Sequence, residues 1–143
     1  MNPTKDDFLR FLIGQGSFDW AVTINLMKRH PRYQTYITPE IFEKTGRHYL
    51  ALVNKRIFKR QYQYGHIRLN SIFCMEYGEH KRPHLHFAIG SPPQIDKDSV
   101  LAELYRSYKL MDWVKGDVHI TPYHSSVWIN YILKTGFESI AIH

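Results

Sequence analysis

At Gly65 the chain changes period, and that change constrains the fold more than any other feature of the sequence. Upstream, Thr38-Pro39-Glu40 is a helix start, with a hydroxyl at the cap and proline at the first helical position. The helix is expected to run to about Tyr64 and to stop at Gly65. Ile41, Phe42, Tyr49, Leu52, Val53, Ile57 and Phe58 form its apolar stripe. Lys44, Arg47, Lys55, Arg56, Lys59 and Arg60 occupy the other face, a solvated surface that could also reach a phosphate backbone. Downstream of Gly65 the apolar period becomes two. Residues 66–77 and 84–90 are expected to be strands, joined through the polar stretch GEHKRP as a hairpin with a longish loop.

The flanking segments extend this alternation of element types. In FDWAVTINL, Trp20, Val22, Ile24 and Leu26 share one face of a half-buried strand, and KRHPRYQTYI then reads as a basic, proline-containing loop. After the turn region SPPQIDKDS, a helix from about Ser99 to Tyr108 is expected to turn Val100, Leu101, Leu104 and Tyr105 inward. Residues 116–123 form a further strand. Ser125 or Ser126 can cap a helix running through Lys134 to a stop at Gly136, and ESIAI adds a last strand. Thr4 with Asp7 resembles a capping box before a short N-terminal helix over about 4–13. The order predicts an α+β fold, with about five mostly antiparallel strands and helices packed on one face.

Composition narrows the function classes. A length of 143 residues fits one domain and leaves no room for a helicase or ATPase module, and no phosphate-binding G-x-x-x-x-G-K-[ST] loop occurs. No apolar run approaches the roughly 20 residues of a membrane span. The N-terminus carries early acids and lacks the apolar core of a secretory signal. The single cysteine, Cys74, cannot form an internal disulfide, which fits a reducing compartment. Nineteen Lys and Arg against 13 Asp and Glu give a net charge of +6, and aromatics reach 15%. Cations supply phosphate affinity and aromatic rings supply stacking platforms, so nucleic acid is the first partner to consider.

The chemistry concentrates in two places. His84 and His86 stand two apart in a strand, so both imidazoles project from one face. Glu76 lies eight residues before His84. If the hairpin sets it opposite either histidine, the three make a two-histidine, one-carboxylate group with open coordination positions. An HxH pair is also common in ordinary strands, and Glu76 could be a plain surface acid. His80 and His124 are alternative ligands, and His119 alternates so as to face the same side, where an ordinary hydrogen-bonded histidine is the simpler role. In SSVWINYILKTG, Tyr131 and Lys134 lie three apart on one helical face. An ammonium beside a tyrosine favours the nucleophilic phenolate. The alternatives are a core aromatic and a cation satisfying a helix C-terminus.

Taken together, E-x7-HLH, 44 intervening residues and Y-x-x-K resemble the HUH superfamily of nucleases in its single-tyrosine rolling-circle replication initiator (Rep) branch. WAVTIN resembles the first motif of that family, PHLHF the metal motif and NYILKTG the nucleophile motif, over about residues 18 to 136. The resemblance implies an RRM-like (ferredoxin-like) sheet with the catalytic tyrosine on a C-terminal helix. It implies Mg²⁺ or Mn²⁺ held by Glu76, His84 and His86, Tyr131 as nucleophile and Lys134 as its helper. The reaction it implies is nicking and joining of single-stranded DNA or an origin hairpin through a 5′-phosphotyrosine, initiating replication of a plasmid, phage or virus. Unlike many members, the chain carries no helicase domain, so unwinding and extension would fall to a host or separate helicase and a polymerase. The compartment implied is bacterial cytoplasm, or a host nucleus for a eukaryotic virus. Lys28, Arg29, Arg32 and Tyr33 are candidate DNA contacts.

Two other readings compete. A single-tyrosine transposase of the same superfamily differs in placing its third ligand near the tyrosine. A non-catalytic RRM-like nucleic-acid-binding module would need exposed aromatics on the central strands, with Phe73 and Phe87 as candidates, and gives no reason for E-x7-HLH. A histidine nucleotide hydrolase with H-x-H-x-H fails at Ala88.

Overall fold

The computed structural model describes residues 18–65, 67–78, 81–124 and 140–142. The expected N-terminal helix, and the helix bearing Tyr131 and Lys134, lie outside the described residues.

Alternation in WAVTIN produces β1, Trp20–Asn25, with Val22 and Ile24 buried on one face. The segment that follows was expected to be a loop, but it folds into a small hairpin of β2 (Arg29–His30) and β3 (Thr35–Tyr36). Its strands are two residues long, too short to leave a periodic signature. Helix α1, Pro39–Phe58, begins as anticipated, with Thr38 Oγ1 accepting from the Ile41 amide at 3.2 Å. It stops earlier than expected. Lys59 has φ +54°, outside the right-handed helical region, and only a single turn, α2 (Arg60–Gln63), follows before Gly65 at φ +76°.

Strand β4 (Asn70–Gly78) starts four residues later than expected and β5 (Lys81–Gly90) three residues earlier, so the hairpin is tighter than predicted because KRP joins β5 instead of the loop. Helix α3, Lys97–Tyr108, starts two residues before the expected Ser99. Val100 and Leu104 point inward, whereas Tyr105 is exposed and Leu101 only half-buried. β6 is His119–Pro122 and β7 is Ile140–Ile142.

Four strands in the order β6-β1-β5-β4 make an antiparallel sheet, and β7 pairs antiparallel along the free side of β4. With its helices this is an α+β architecture, which agrees at a coarse level with a ferredoxin-like fold. Register assigns the two faces. Val22 opposes Phe87, Ile24 opposes Leu85, and Phe73 opposes Phe87, so these apolar side chains share one face. That face is the core under α1: Tyr49 and Phe87 have ring centroids 5.1 Å apart, and Phe73 and Phe87 5.5 Å. Tyr49 Oη donates to the Leu104 carbonyl at 2.9 Å, tying α1 to α3. Asn54, wholly buried, donates to the Leu50 carbonyl and accepts from the Leu69 amide at 2.7 Å, fixing α1 to the approach of β4. No helix among the described residues is long and apolar enough to cross a membrane.

Candidate metal centre and basic pocket

The second face of the sheet carries the polar half of each alternating strand. Thr23 opposes His86, Asn25 opposes His84, and Glu76 opposes His84 on the other side, so three adjacent strands present a compact polar group. The hairpin register therefore brings Glu76, His84 and His86 together as the spacing anticipated. His86 Nε2 lies 3.0 Å from Glu76 Oε2, and the two imidazole centroids are 5.9 Å apart.

Two residues of β1 orient the rings. His84 Nδ1 donates to Asn25 Oδ1, which leaves the lone pair on Nε2. Thr23 Oγ1 meets His86 Nδ1 at 3.2 Å and, as a hydroxyl, can either donate or accept there. When it accepts, Nδ1 carries the proton and Nε2 is free to ligate. Such contacts on the non-ligating nitrogen fix tautomer and ring angle in histidine metal sites. Burial of His86 pulls its pKa below the ordinary histidine value, opposed in part by the hydrogen bond and charge of Glu76. Neutral imidazole is the ligating form.

The donor set suits a divalent ion bound by two imidazoles and one carboxylate. Among the described residues, no group of three or more His, Cys, Asp or Glu side chains is arranged to hold a metal as it stands. His86 Nε2 and Glu76 Oε2 share a hydrogen bond at 3.0 Å, and its proton must leave for both atoms to ligate an ion. Of the alternative ligands, His119 lies on this face opposite Thr23 but is exposed, and His124 is exposed beyond β6. His80 lies outside the described residues, as do Tyr131 and Lys134.

Beside this group, where β1 leaves the sheet, is a pocket of about 620 Å³ lined by Leu26, Met27, Lys28, Arg29, Pro31, Arg82 and Lys115. Of the four expected DNA contacts, Lys28 and Arg29 line it. Arg32 and Tyr33 sit instead on the tip of the β2–β3 hairpin. Tyr33 is committed to structure: its ring stacks on His30 at 4.1 Å, and its hydroxyl donates to Asp112 Oδ2 at 2.7 Å. That bond raises the Tyr33 pKa and, with the His30 contact at 2.8 Å, holds the Asp112 carboxyl below the ordinary carboxylate value. The more exposed ring is Tyr36, with the Arg29 guanidinium 5.7 Å from its centroid.

Sequence reasoning missed Thr23, Asn25, Arg82, Lys115 and Tyr36. Alternation does place Thr23 and Asn25 opposite the apolar face of β1. Their meeting with the histidines, however, depends on β1 pairing with β5, some 60 residues on. Phe73 and Phe87, the platform that a non-catalytic RRM-like module would need, are fully buried on the helix-covered face. Comparison of the chain with family models, with curated proteins and with solved structures yields no match.

Proposed function

We propose that the chain is a metal-dependent single-stranded DNA nicking and joining enzyme of the HUH type, with an RRM-like sheet and a nucleophilic tyrosine on a C-terminal helix. The observation that carries this reading is the convergence of Glu76, His84 and His86 on one sheet face, with both histidine Nδ1 atoms met by side chains of the WAVTIN strand. An isolated HxH in a structural strand has no need of a cross-strand acid and two orienting partners.

Glu76, His84 and His86 would hold the divalent ion, Mg²⁺ or Mn²⁺, which when bound supplies Lewis-acid polarisation of the scissile phosphate. Tyr131 attacks phosphorus through Oη. The Oη–P bond forms as the P–O3′ bond breaks, the phenol loses its proton, and the departing O3′ gains one. A 5′-phosphotyrosine and a free 3′-OH result, and the reverse reaction with a new 3′-OH rejoins the strand. Lys134 stabilises the phenolate. Replication initiation on a plasmid, phage or virus is the role we favour. A transposition role uses the same chemistry.

The test is incubation of the protein with Mn²⁺ and single-stranded oligonucleotides, read on denaturing gels. Cleavage with a covalent protein–DNA adduct is expected, and Tyr131→Phe should abolish both while leaving DNA binding and fold intact. An adduct formed by Tyr131→Phe would remove the nucleophile assignment. Full activity of His84→Ala or His86→Ala would remove the metal assignment.

A further inference from the structure

We infer that the pocket beside the metal-ligand group is a seat for one nucleotide of a single DNA strand, with the base on its apolar floor and flanking phosphates on its cationic rim. The inference rests on the nucleic-acid reading above and adds where the strand is gripped.

Charge is the first argument. Lys28, Arg29, Arg82 and Lys115 come from three separate stretches of chain to line one pocket. Among the described residues, none of the four forms an ion pair with a carboxylate. On the helices, by contrast, three arginines are paired: Arg47 with Glu43 at 3.0 Å, and Arg56 and Arg106 both with Glu103. Four gathered cations without a counter-charge repel one another, and a polyanion relieves that repulsion.

Shape and rigidity are the second. Met27 and Pro31 give the pocket an apolar floor, and about 620 Å³ falls in the range of small-ligand sites. The walls are fixed by backbone bonds: Leu26 N to Pro83 O at 2.8 Å, Met27 N to Trp113 O at 2.9 Å, and Lys115 N to Asn25 O at 2.8 Å. The hairpin that carries Arg29 is anchored through buried His30. Its Nδ1 accepts from the Arg32 amide at 3.1 Å, and its Nε2 meets Asp112 at 2.8 Å. A preformed cationic rim over an apolar floor suits a base with its phosphates better than a bare anion.

Position is the third. Asn25, which bonds His84, stands two residues before Met27 of the floor, and Arg82 stands two residues before His84 on β5. A strand with one phosphate at the metal-ligand group would pass directly into this pocket. A rigid duplex cannot present a separated base to it.

Fluorescence anisotropy in EDTA tests the seat apart from catalysis, with labelled oligo-dT, an abasic strand of equal length and a duplex as probes. Arg82→Ala/Lys115→Ala, checked for fold by circular dichroism, should bind oligo-dT roughly tenfold more weakly. Its salt slope should fall by about 1.4, the value for two phosphate contacts on a single strand. The abasic strand and the duplex should bind wild type more weakly than oligo-dT. Unchanged affinity and slope in the double variant would overturn the pocket, and an abasic strand bound as tightly as oligo-dT would overturn the base seat. Wild type that binds with these dependences but never cleaves with Mn²⁺ removes the nuclease reading and leaves the pocket. Cleavage with an unaffected double variant removes the pocket alone.

Discussion

His86 is engaged at both ring nitrogens, by Thr23 on β1 and Glu76 on β4, and its burial leaves little freedom to choose another orientation. Thr23→Val keeps the shape and deletes the Nδ1 partner. Isothermal titration with Mn²⁺ should show affinity falling by about 10- to 100-fold, the usual cost of losing an orienting contact on a ligating histidine. Unchanged affinity would mean that Thr23 does not set the ring. The Asp112 carboxylate provides a separate, pH-dependent check on the hairpin. Hydrogen bonds from Tyr33 and then His30 favour its charged form, so its folded pKa lies below the ordinary 3.8. The stability this contributes is complete above the unfolded value and drains away as pH falls through the folded one. Urea midpoints of wild type and Asp112→Asn should therefore differ near pH 6, and the gap should shrink as the pH falls below the ordinary 3.8 and through the lower folded value. A gap that is constant with pH would show that the carboxylate's charge is not what matters. That Glu76 could meet His84 or His86 across a hairpin was legible in their spacing, and the register then sets it opposite His84. The orienting roles of Thr23 and Asn25, and the Asp112–His30 anchor, depend on contacts distant in sequence and had no local signal.

Among the elements, α1 shows which instructions are local. Thr38 and Pro39 announce its start because capping and a fixed φ are properties of those residues themselves. Its break at Lys59 carries no such mark, since nothing about lysine favours positive φ. The same helix contains Gly46, buried in its middle, where helical propensity alone would prefer alanine by about 1 kcal/mol. Tertiary packing reverses that preference. A β-carbon at Gly46 would lie 2.5 Å from Phe73 Cε2 and 2.9 Å from Cδ2 and Cζ, and the Phe73 ring is itself fully buried. Overpacking of this kind costs about 1–3 kcal/mol, which equals or exceeds the propensity gain. Gly46→Ala should lower the urea-unfolding free energy by a net amount of up to about 2 kcal/mol. Adding Phe73→Leu should recover part of it, since the two sites are in contact and their effects do not add. A stabilised Gly46→Ala would show that the ring has room to move.

At the scale of the whole molecule, one sheet serves two purposes by having two faces, and β5 shows the division most sharply. Leu85, wholly buried, lies opposite Ile24 and Met75 on the helix-covered face, whereas His84 and His86, on either side of it, project from the other. Strand alternation made this division legible in PHLHF itself, and the antiparallel α+β architecture followed from the order of periods. What lay beyond reach was which strands become neighbours, and so which residues of β1 complete the polar face. The separation makes a prediction that neighbouring residues in a loop would not. Leu85→Ala removes core volume and should cost about 2–5 kcal/mol of stability, measured by urea unfolding, with Mn²⁺ affinity of the folded protein retained. His84→Ala deletes a half-buried polar side chain, so its unfolding midpoint should stay close to wild type while Mn²⁺ binding is lost. If Leu85→Ala also lost metal binding while still folded, the two faces would be coupled through the strand. Ring orientation would then depend on the core as well as on Thr23 and Asn25.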